Sequence, residues 1–191
     1  MTNKVSNVAA AKPAATGGVL VAPLGTALPT DEAAAPNVAF KSLGYAGEGG
    51  VTRSESRSSD KKKAWGGSIV KTVQTEYGVT YKVILIEHYN PDVQTSIHGA
   101  GNVTITAATV STGTKIAIAG NSATLPRNSW IFEMFDGLAK TRHVLPNAQI
   151  TEVGDVVYDS GDIIAYEATI ECFEDATGHP YYEYLNDGVF A

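Results

Sequence analysis

The chain has 191 residues, of which 43% are hydrophobic, and a formal net charge of −6 at pH 7. That length accommodates one domain with appended segments, or at most two small domains. The acidic balance argues against free binding to nucleic acid, which requires a basic face, and the single cysteine excludes an intramolecular disulfide framework. No apolar run is long enough for a membrane-spanning helix, and Lys12 and Pro13 stand where a secretion signal needs its apolar core.

Charge is divided unevenly along the chain. Residues 128–191 carry twelve acids and two bases, whereas residues 1–127 carry eight acids and twelve bases. Five of those bases crowd into one polar stretch, namely Arg53, Arg57, Lys61, Lys62 and Lys63. A protomer that bears opposite charge on different surfaces is suited to docking onto copies of itself. The charge pattern therefore points to assembly rather than to catalysis.

The N-terminal third consists of polar segments separated by short apolar ones. Residues 1–36 are rich in alanine and proline and poor in large apolar side chains, so we expect a flexible arm that becomes ordered on a partner. Residues 40–45 are predicted to form a strand. The stretch 53–63 has no apolar side chain, which predicts a long solvated loop over about 46–67.

The middle third predicts two strands and one helix. Residues 68–76 have apolar and polar side chains on both faces of an extended chain, which favours contact with water, a neighbouring subunit or a wet channel. Residues 77–85 carry an aromatic or aliphatic side chain at every second position, which is the period of a half-buried strand. Asn90 before a proline, followed later by Gly99, predicts a short helix over about 91–98.

The C-terminal half continues in strands. They are predicted at about 102–110, 115–119, 128–136, 139–145, 153–159 and 163–173. The last of them has one apolar face and one acidic face. The whole pattern predicts a mainly β, antiparallel sandwich or barrel with one short flanking helix. It forms a single domain over 37–175, followed by a C-terminal tail over 176–191.

No residue pattern marks a catalytic, cofactor-binding or metal site. The glycine-containing stretch 99–104 follows the predicted helix and ends in threonine, so it does not match a dinucleotide-binding loop. The four histidines lack metal-ligand spacing, and Cys172 lies on an apolar strand face as a predicted buried, inert thiol. We therefore expect neither enzymatic activity nor a cofactor.

Trp65 follows the lysine run and precedes two glycines. A tryptophan next to basic residues is common at protein interfaces, which makes Trp65 a candidate contact anchor. A core tryptophan at the start of a strand explains the same residue equally well.

Several segments together resemble one known family. They are GGVLVAPLGTALPTD (17–31), FKSLGYAGEGGVTRS (40–54), KKKAWGGSIVKTVQTEYGVTYKVILIE (61–87), a short helix before NVT (102–104), and PNAQITEVGDVVYDSGDIIAYEATIECFED (146–175). In character and order they are similar to the major tail tube proteins of long-tailed, siphovirus-type bacteriophages, and most of all to those of actinobacterial phages. The resemblance covers about 17–180.

The resemblance implies a β-sandwich flanked by one helix, with an N-terminal arm and a long hairpin loop. It implies that six subunits close a ring, and that rings stack into a tube around a tape-measure protein. DNA would leave the capsid through this tube without specific binding, and tail terminator and tail-tip proteins would be further partners. No membrane binding is expected, and the chain would be made in the host cytoplasm and reside in the virion tail. The tube of a contractile tail or of a secretion system is the near alternative.

By analogy with the family, the stretch 53–63 reaches the neighbouring ring. The candidate inter-ring contacts are Arg53, Arg57, Lys61, Lys62, Lys63 and Trp65. The candidate acidic surface, in the lumen or at the ring contact, comprises Glu76, Glu133, Glu167 and Glu171.

Two interpretations from other classes stay open. One is a hydrolase with paired carboxylates. The other is a β-sandwich binding or decoration module of a virion, which would bind carbohydrate or protein through Tyr181, Tyr182, Tyr184 and Phe190.

Overall fold

A computed structural model describes residues 3–14 and 17–189. Within these residues the strands are β1 (Lys12–Pro13), β2 (Val19–Pro23), β3 (Lys41–Ser42), β4 (Ala46–Lys63), β5 (Ile69–Leu85), β6 (Val103–Thr106), β7 (Lys115–Ile118), β8 (Asn128–Asp136), β9 (Ala139–Val153), β10 (Tyr166–Cys172) and β11 (Tyr182–Asn186). One α-helix, α1, spans Pro91–His98. Strands make up 48% of the described residues, which confirms the predicted mainly β, antiparallel fold with one short helix.

Most of the described strands belong to one antiparallel sheet. Its path runs β3–β2–β8–β9–β10–β5–β4, while β1 also pairs with β8 and β11 also pairs with β9. Strands β6 and β7 form a separate two-stranded sheet beside α1. The large sheet therefore has β3 and β4 at its two edges.

This sheet curls around an apolar core. Tyr81 in β5 and Phe132 in β8 lie on strands that are separated by β9 and β10, yet their rings stack with centroids 5.4 Å apart. Trp130 is fully buried beside them in the same core, to which α1 contributes Val93 and Ile97. Because the sheet folds back on itself, one of its faces is kept dry.

The opposite face is wet where β5 and β10 pair. In β5 the buried side chains alternate from Val79 to Leu85, and in β10 they alternate from Tyr166 to Cys172. Successive side chains of a strand point to opposite faces, so Glu167 and Glu171 are exposed on the far side. The predicted apolar and acidic faces of β10 are both present.

The helix follows from its capping residues, as the sequence predicted. Oδ1 of Asn90 accepts a hydrogen bond from the backbone N–H of Asp92 at 3.0 Å, and proline occupies the first turn. Gly99 ends the helix with a φ of +85°, a conformation that favours glycine.

Two long segments differ from their predictions. Residues 53–63 are not a loop but the outer part of β4, paired with β5 as far as Lys63 opposite Ile69. A strand with both faces in water needs no apolar side chains. The polar sequence of this segment therefore gave no sign of a strand. Residues 19–23, expected in the flexible arm, are β2; Val19 and Val21 are buried, and the strand pairs with β8 far along the chain.

Two shorter predictions also need correction. The strand expected over 153–159 is absent, because β9 runs from residue 139 to 153 and pairs with β10 through its own C-terminal part. The strand expected over 40–45 is reduced to Lys41–Ser42, since only these residues find a partner in β2.

Candidate assembly interface

A two-stranded ribbon projects from the body of the protein. Strands β4 and β5 pair almost to the end of the hairpin, whereas β10 pairs with β5 only over residues 79–85. We call residues 56–78 the ribbon. At about 3.4 Å per residue, its two arms extend roughly 30 Å beyond the sheet. Among the described strands, no third one pairs with it.

The tip of the ribbon is a tight turn that presents Trp65. The N–H of Ala64 donates to the carbonyl of Ser68, and the N–H of Gly67 donates to the carbonyl of Ala64, both at 2.8 Å. The Trp65 side chain is fully exposed. It is not a core residue, since that place is taken by Trp130, and an exposed indole at the end of a projecting ribbon is suited to contact another molecule.

The outer half of the ribbon combines exposed apolar side chains with positive charge. Ile69, Val70 and Val73 are exposed on β5, opposite the lysine run of β4. Lys62 pairs with Asp60, while Lys61 and Lys63 form no ion pair with any residue that the structure describes. The candidate contacts Lys61, Lys62, Lys63 and Trp65 are therefore brought together on one accessible element.

The base of the ribbon is tied to the body by Arg53. Its Nη1 donates to Oε2 of Glu183 in β11 at 2.8 Å, and its guanidinium lies 4.8 Å from the ring centre of Tyr181. The Tyr181 hydroxyl in turn donates to Glu55 at 2.7 Å. These contacts raise the pKa of Arg53, chiefly through Glu183, and lower the pKa of Glu55, chiefly through Tyr181. Arg53 thus serves within the subunit and is not a free base.

Two more residues extend this network. The Arg57 guanidinium lies 4.1 Å from the ring centre of Tyr77, which faces it across the two strands. His143 in β9 has Nδ1 3.0 Å from the Tyr81 hydroxyl and Nε2 3.7 Å from Glu183, and burial lowers the pKa of His143. Because residues 53–63 were predicted to form a loop, this network was not predicted from the sequence. Its signal was the alternation of charged residues at 53, 55 and 57, which places them on one face of a strand.

Three of the four candidate acidic residues are exposed. Glu76 lies on the ribbon, and Glu167 and Glu171 lie on the wet face of β10, where Glu167 also meets Nζ of Lys82 at 3.3 Å. Glu133 does not belong to this surface. It pairs with the buried Arg142 directly across from it in β9, and the segment 31–34 covers this pair, because Nη1 of Arg142 donates to the carbonyls of Asp31 and Ala34.

Comparison with known families shows what kind of protein carries this surface. The model of the phage tail tube protein family matches residues 3–191. The chain belongs to the phage tail tube protein family. It is a structural protein of the virion tail, and the family accounts for a subunit that is built to assemble. A search of curated proteins finds no match to the chain.

The C-terminal tyrosines of this tail tube protein do not form an open aromatic groove. The Tyr182 hydroxyl donates to Asp175 at 2.6 Å, and the Tyr182 and Tyr184 rings stack with centroids 6.4 Å apart. Tyr181 is held by Glu55 and Arg53, and Phe190 lies outside the described residues. These contacts favour a packing role for the three described tyrosines.

The cysteine, the possible metal ligands and the helices of this tail tube protein bear on functions other than assembly. Cys172 is buried, which raises the pKa of its thiol to about 12 and keeps it protonated. In residues 3–14 and 17–189, no cluster of three or more histidine, cysteine or acidic side chains is arranged to hold a metal ion. None of the helices in that part of the chain has the length and apolar character needed to cross a membrane.

Proposed function

We propose that six copies of this chain close into a ring and that the rings stack into the phage tail tube. The tube is built around a tape-measure protein and becomes the conduit for DNA ejection. The observation that carries the proposal is the ribbon. A two-stranded hairpin is at best marginally stable in water, and this one also exposes a tryptophan and three aliphatic side chains. Neighbouring copies would supply the missing support.

The open edges of the sheet support a closed ring. Strand β4 ends the sheet on one side and is long, so its outer backbone groups are available for pairing. Long exposed edges invite uncontrolled aggregation unless something covers them. A ring closed by head-to-tail contacts covers each edge with the next subunit and leaves none free.

The wet face of the sheet suits an aqueous lumen. If each subunit lends about four strands to a shared inner barrel, six subunits supply roughly twenty-four, and a ~40° tilt gives a diameter of about 40–50 Å. Glu167 and Glu171 would line such a channel. Carboxylates repel phosphates, so DNA would slide through, whereas a lysine-rich lining would hold it.

The lysines of the ribbon would make ionic contacts with the acidic C-terminal third of a subunit in the next ring. Exposed ion pairs contribute only about 0.2–1 kcal/mol each, so their repetition around a sixfold ring must supply the effect. Terminator and tip proteins would close the two ends of the stack.

The test is electron microscopy of the concentrated purified protein. The wild-type chain should form hollow rods. Replacement of all three ribbon lysines by glutamate (K61E/K62E/K63E) should abolish or greatly reduce these rods, while circular dichroism shows a folded subunit.

A matched control reverses three lysines away from the ribbon (K12E/K41E/K115E). It changes the net charge by the same amount, and it should retain more assembly than the ribbon variant. A wild-type protein that stays monomeric at high concentration, even with a tape-measure protein present, would contradict the proposal.

A further inference from the structure

A groove lies at the end of β5 that is opposite to the ribbon tip. Its walls are the segment 86–90, which follows β5, and the loop 159–164, which leads into β10. The groove has a volume of about 620 Å³, within the range of roughly 300–1,000 Å³ of pockets that hold a drug-sized molecule. The seventeen residues of β5 separate groove and tip by about 55 Å.

The groove combines apolar surface with acidic side chains at its rim. Ile86 and Ile163 supply aliphatic surface, and Tyr89 supplies an exposed ring. Asp159 and Asp162 stand at the rim, and neither forms an ion pair with any described residue. No lysine or arginine is among the described residues that line it. A groove of this kind is suited to an apolar group that carries positive charge beside it.

The tip of the ribbon carries such an apolar group with positive charge beside it. Trp65 is fully exposed, and the lysines at 61 and 63 are unpaired among the described residues. Since tip and groove lie at opposite ends of one strand, a subunit cannot fill its own groove. In a head-to-tail arrangement of copies, the tip of one copy can reach the groove of the next.

We propose that the groove between residues 86–90 and 159–164 receives the Trp65 tip of a second copy of this chain. The contact places the indole against Ile86, Tyr89 and Ile163, and it places the lysines near Asp159 and Asp162. This inference rests on the proposed function and names both sides of the head-to-tail contact. It is heterologous, so it propagates along a stack and does not stop at a dimer.

A second groove in the fold fits the tip less well. It lies between β2 and α1, has a volume of about 410 Å³, and is lined by both Lys41 and Asp92. One base and one acid offer a cationic tip no net attraction. Between these two grooves, the charge therefore favours the first.

Mixing two charge-reversed variants tests the contact. The tip variant is K61E/K62E/K63E and the groove variant is D159K/D162K. Each alone should need at least about tenfold more protein to assemble than the wild type, because like charges meet at every contact. An equimolar mixture should recover assembly, since each tip now finds a groove of opposite charge. The control groove variant, E152K/E174K, should not restore assembly of the tip variant.

Cross-linking reports the same contact without requiring a tube. Gly66→Cys places a thiol beside Trp65, where a new side chain meets no other atom, and Ile163→Cys places one in the groove. With a short bismaleimide, the G66C/I163C chain should give a ladder of covalent multimers. The G66C/V110C control should not, and the native Cys172 is buried in both.

The outcomes separate the two proposals. Tubes without a G66C/I163C ladder, or a mixture that fails although both variants are folded, overturn the tip-in-groove contact and leave the tube intact. A ladder without hollow rods supports the contact and overturns the tube. Rescue of the tip variant by E152K/E174K as strongly as by D159K/D162K also overturns the contact.

Discussion

The body and the ribbon use the same backbone pairing but differ in what lies against it. In the body, the five strands β2, β5, β8, β9 and β10 bury side chains against a core, and Trp130 and Phe132 are fully buried there. In the ribbon, the same strand β5 continues without a third strand or a second layer, and both faces meet water. Hydrogen bonds between strands shape both regions, whereas burial stabilises only the first. The ribbon is the part of the subunit that a neighbour must complete.

The two tryptophans provide the largest expected contrast. Trp130→Ala should lower the free energy of unfolding by about 3–5 kcal/mol, because it opens a cavity in the core. Trp65→Ala should change it by less than about 0.5 kcal/mol, because the indole is fully exposed in the monomer. Urea unfolding followed by circular dichroism measures both. A W65A monomer that is destabilised as much as W130A would show that the ribbon packs against its own body.

Two ion pairs, one buried in the body and one exposed on the ribbon, should give the next largest difference in stability. Glu133→Gln leaves the buried Arg142 without its carboxylate and should lower the free energy of unfolding by about 3 kcal/mol. Asp60→Asn, which removes the exposed partner of Lys62 on the ribbon, should cost less than about 1 kcal/mol. The double variant E133Q/R142M should recover part of the first loss, since it removes the uncompensated charge. Equal losses of unfolding free energy in E133Q and D60N would contradict the expected difference between the buried and the exposed ion pair.

The smallest effect expected is a dependence of folding stability on pH, and it arises at the junction of body and ribbon. Burial lowers the pKa of His143 below that of an exposed histidine, so the unfolded chain binds a proton at a higher pH than the folded one. Stability should therefore fall as the pH drops from about 6.5 toward the lowered pKa. His143→Gln should reduce the difference in melting temperature between about pH 7.5 and pH 5.5.

His98 requires a control, because burial lowers its pKa too. His98→Gln should remove only its own share of the pH dependence, and the double variant should remove more than either single one. The range above about pH 5 avoids Glu55, whose lowered pKa adds a loss of stability only in more acidic solution. A pH dependence unchanged in H143Q would exclude His143 as its source.

Local patterns predicted those elements whose cause is local. The helix over 91–98 depended on Asn90 and Gly99, and β8 over 128–136 ended at an Asp-Gly turn. The burial of Cys172 and the acidic face of β10 followed from alternation alone. By contrast, β2 was missed because its partner strand lies far away in sequence.

The same distinction between local and long-range causes applies to the candidate assembly residues. The lysine run was a candidate because its charge can be recognised from composition, whereas only the structure showed that Trp65 is exposed, since a core position explained that residue equally well. The partners of Arg53 and Glu133 within the subunit, Glu183 and Arg142, were not predicted, because only strand pairing brings them close. Long-range partners are not encoded in any window of the sequence.

The sequence by itself determined that this is a β protein with separated charges, a polar stretch that ends in tryptophan, and no catalytic motif. Alternation, turn residues and composition act over a few neighbouring residues, so they can be recognised without coordinates. Only the tertiary structure decided that the polar stretch is a strand, that Arg53 ties it to the body, and that an acid-rimmed groove lies at the far end of β5. Each of these depends on which distant strands become neighbours, and that choice is made by the folded chain as a whole.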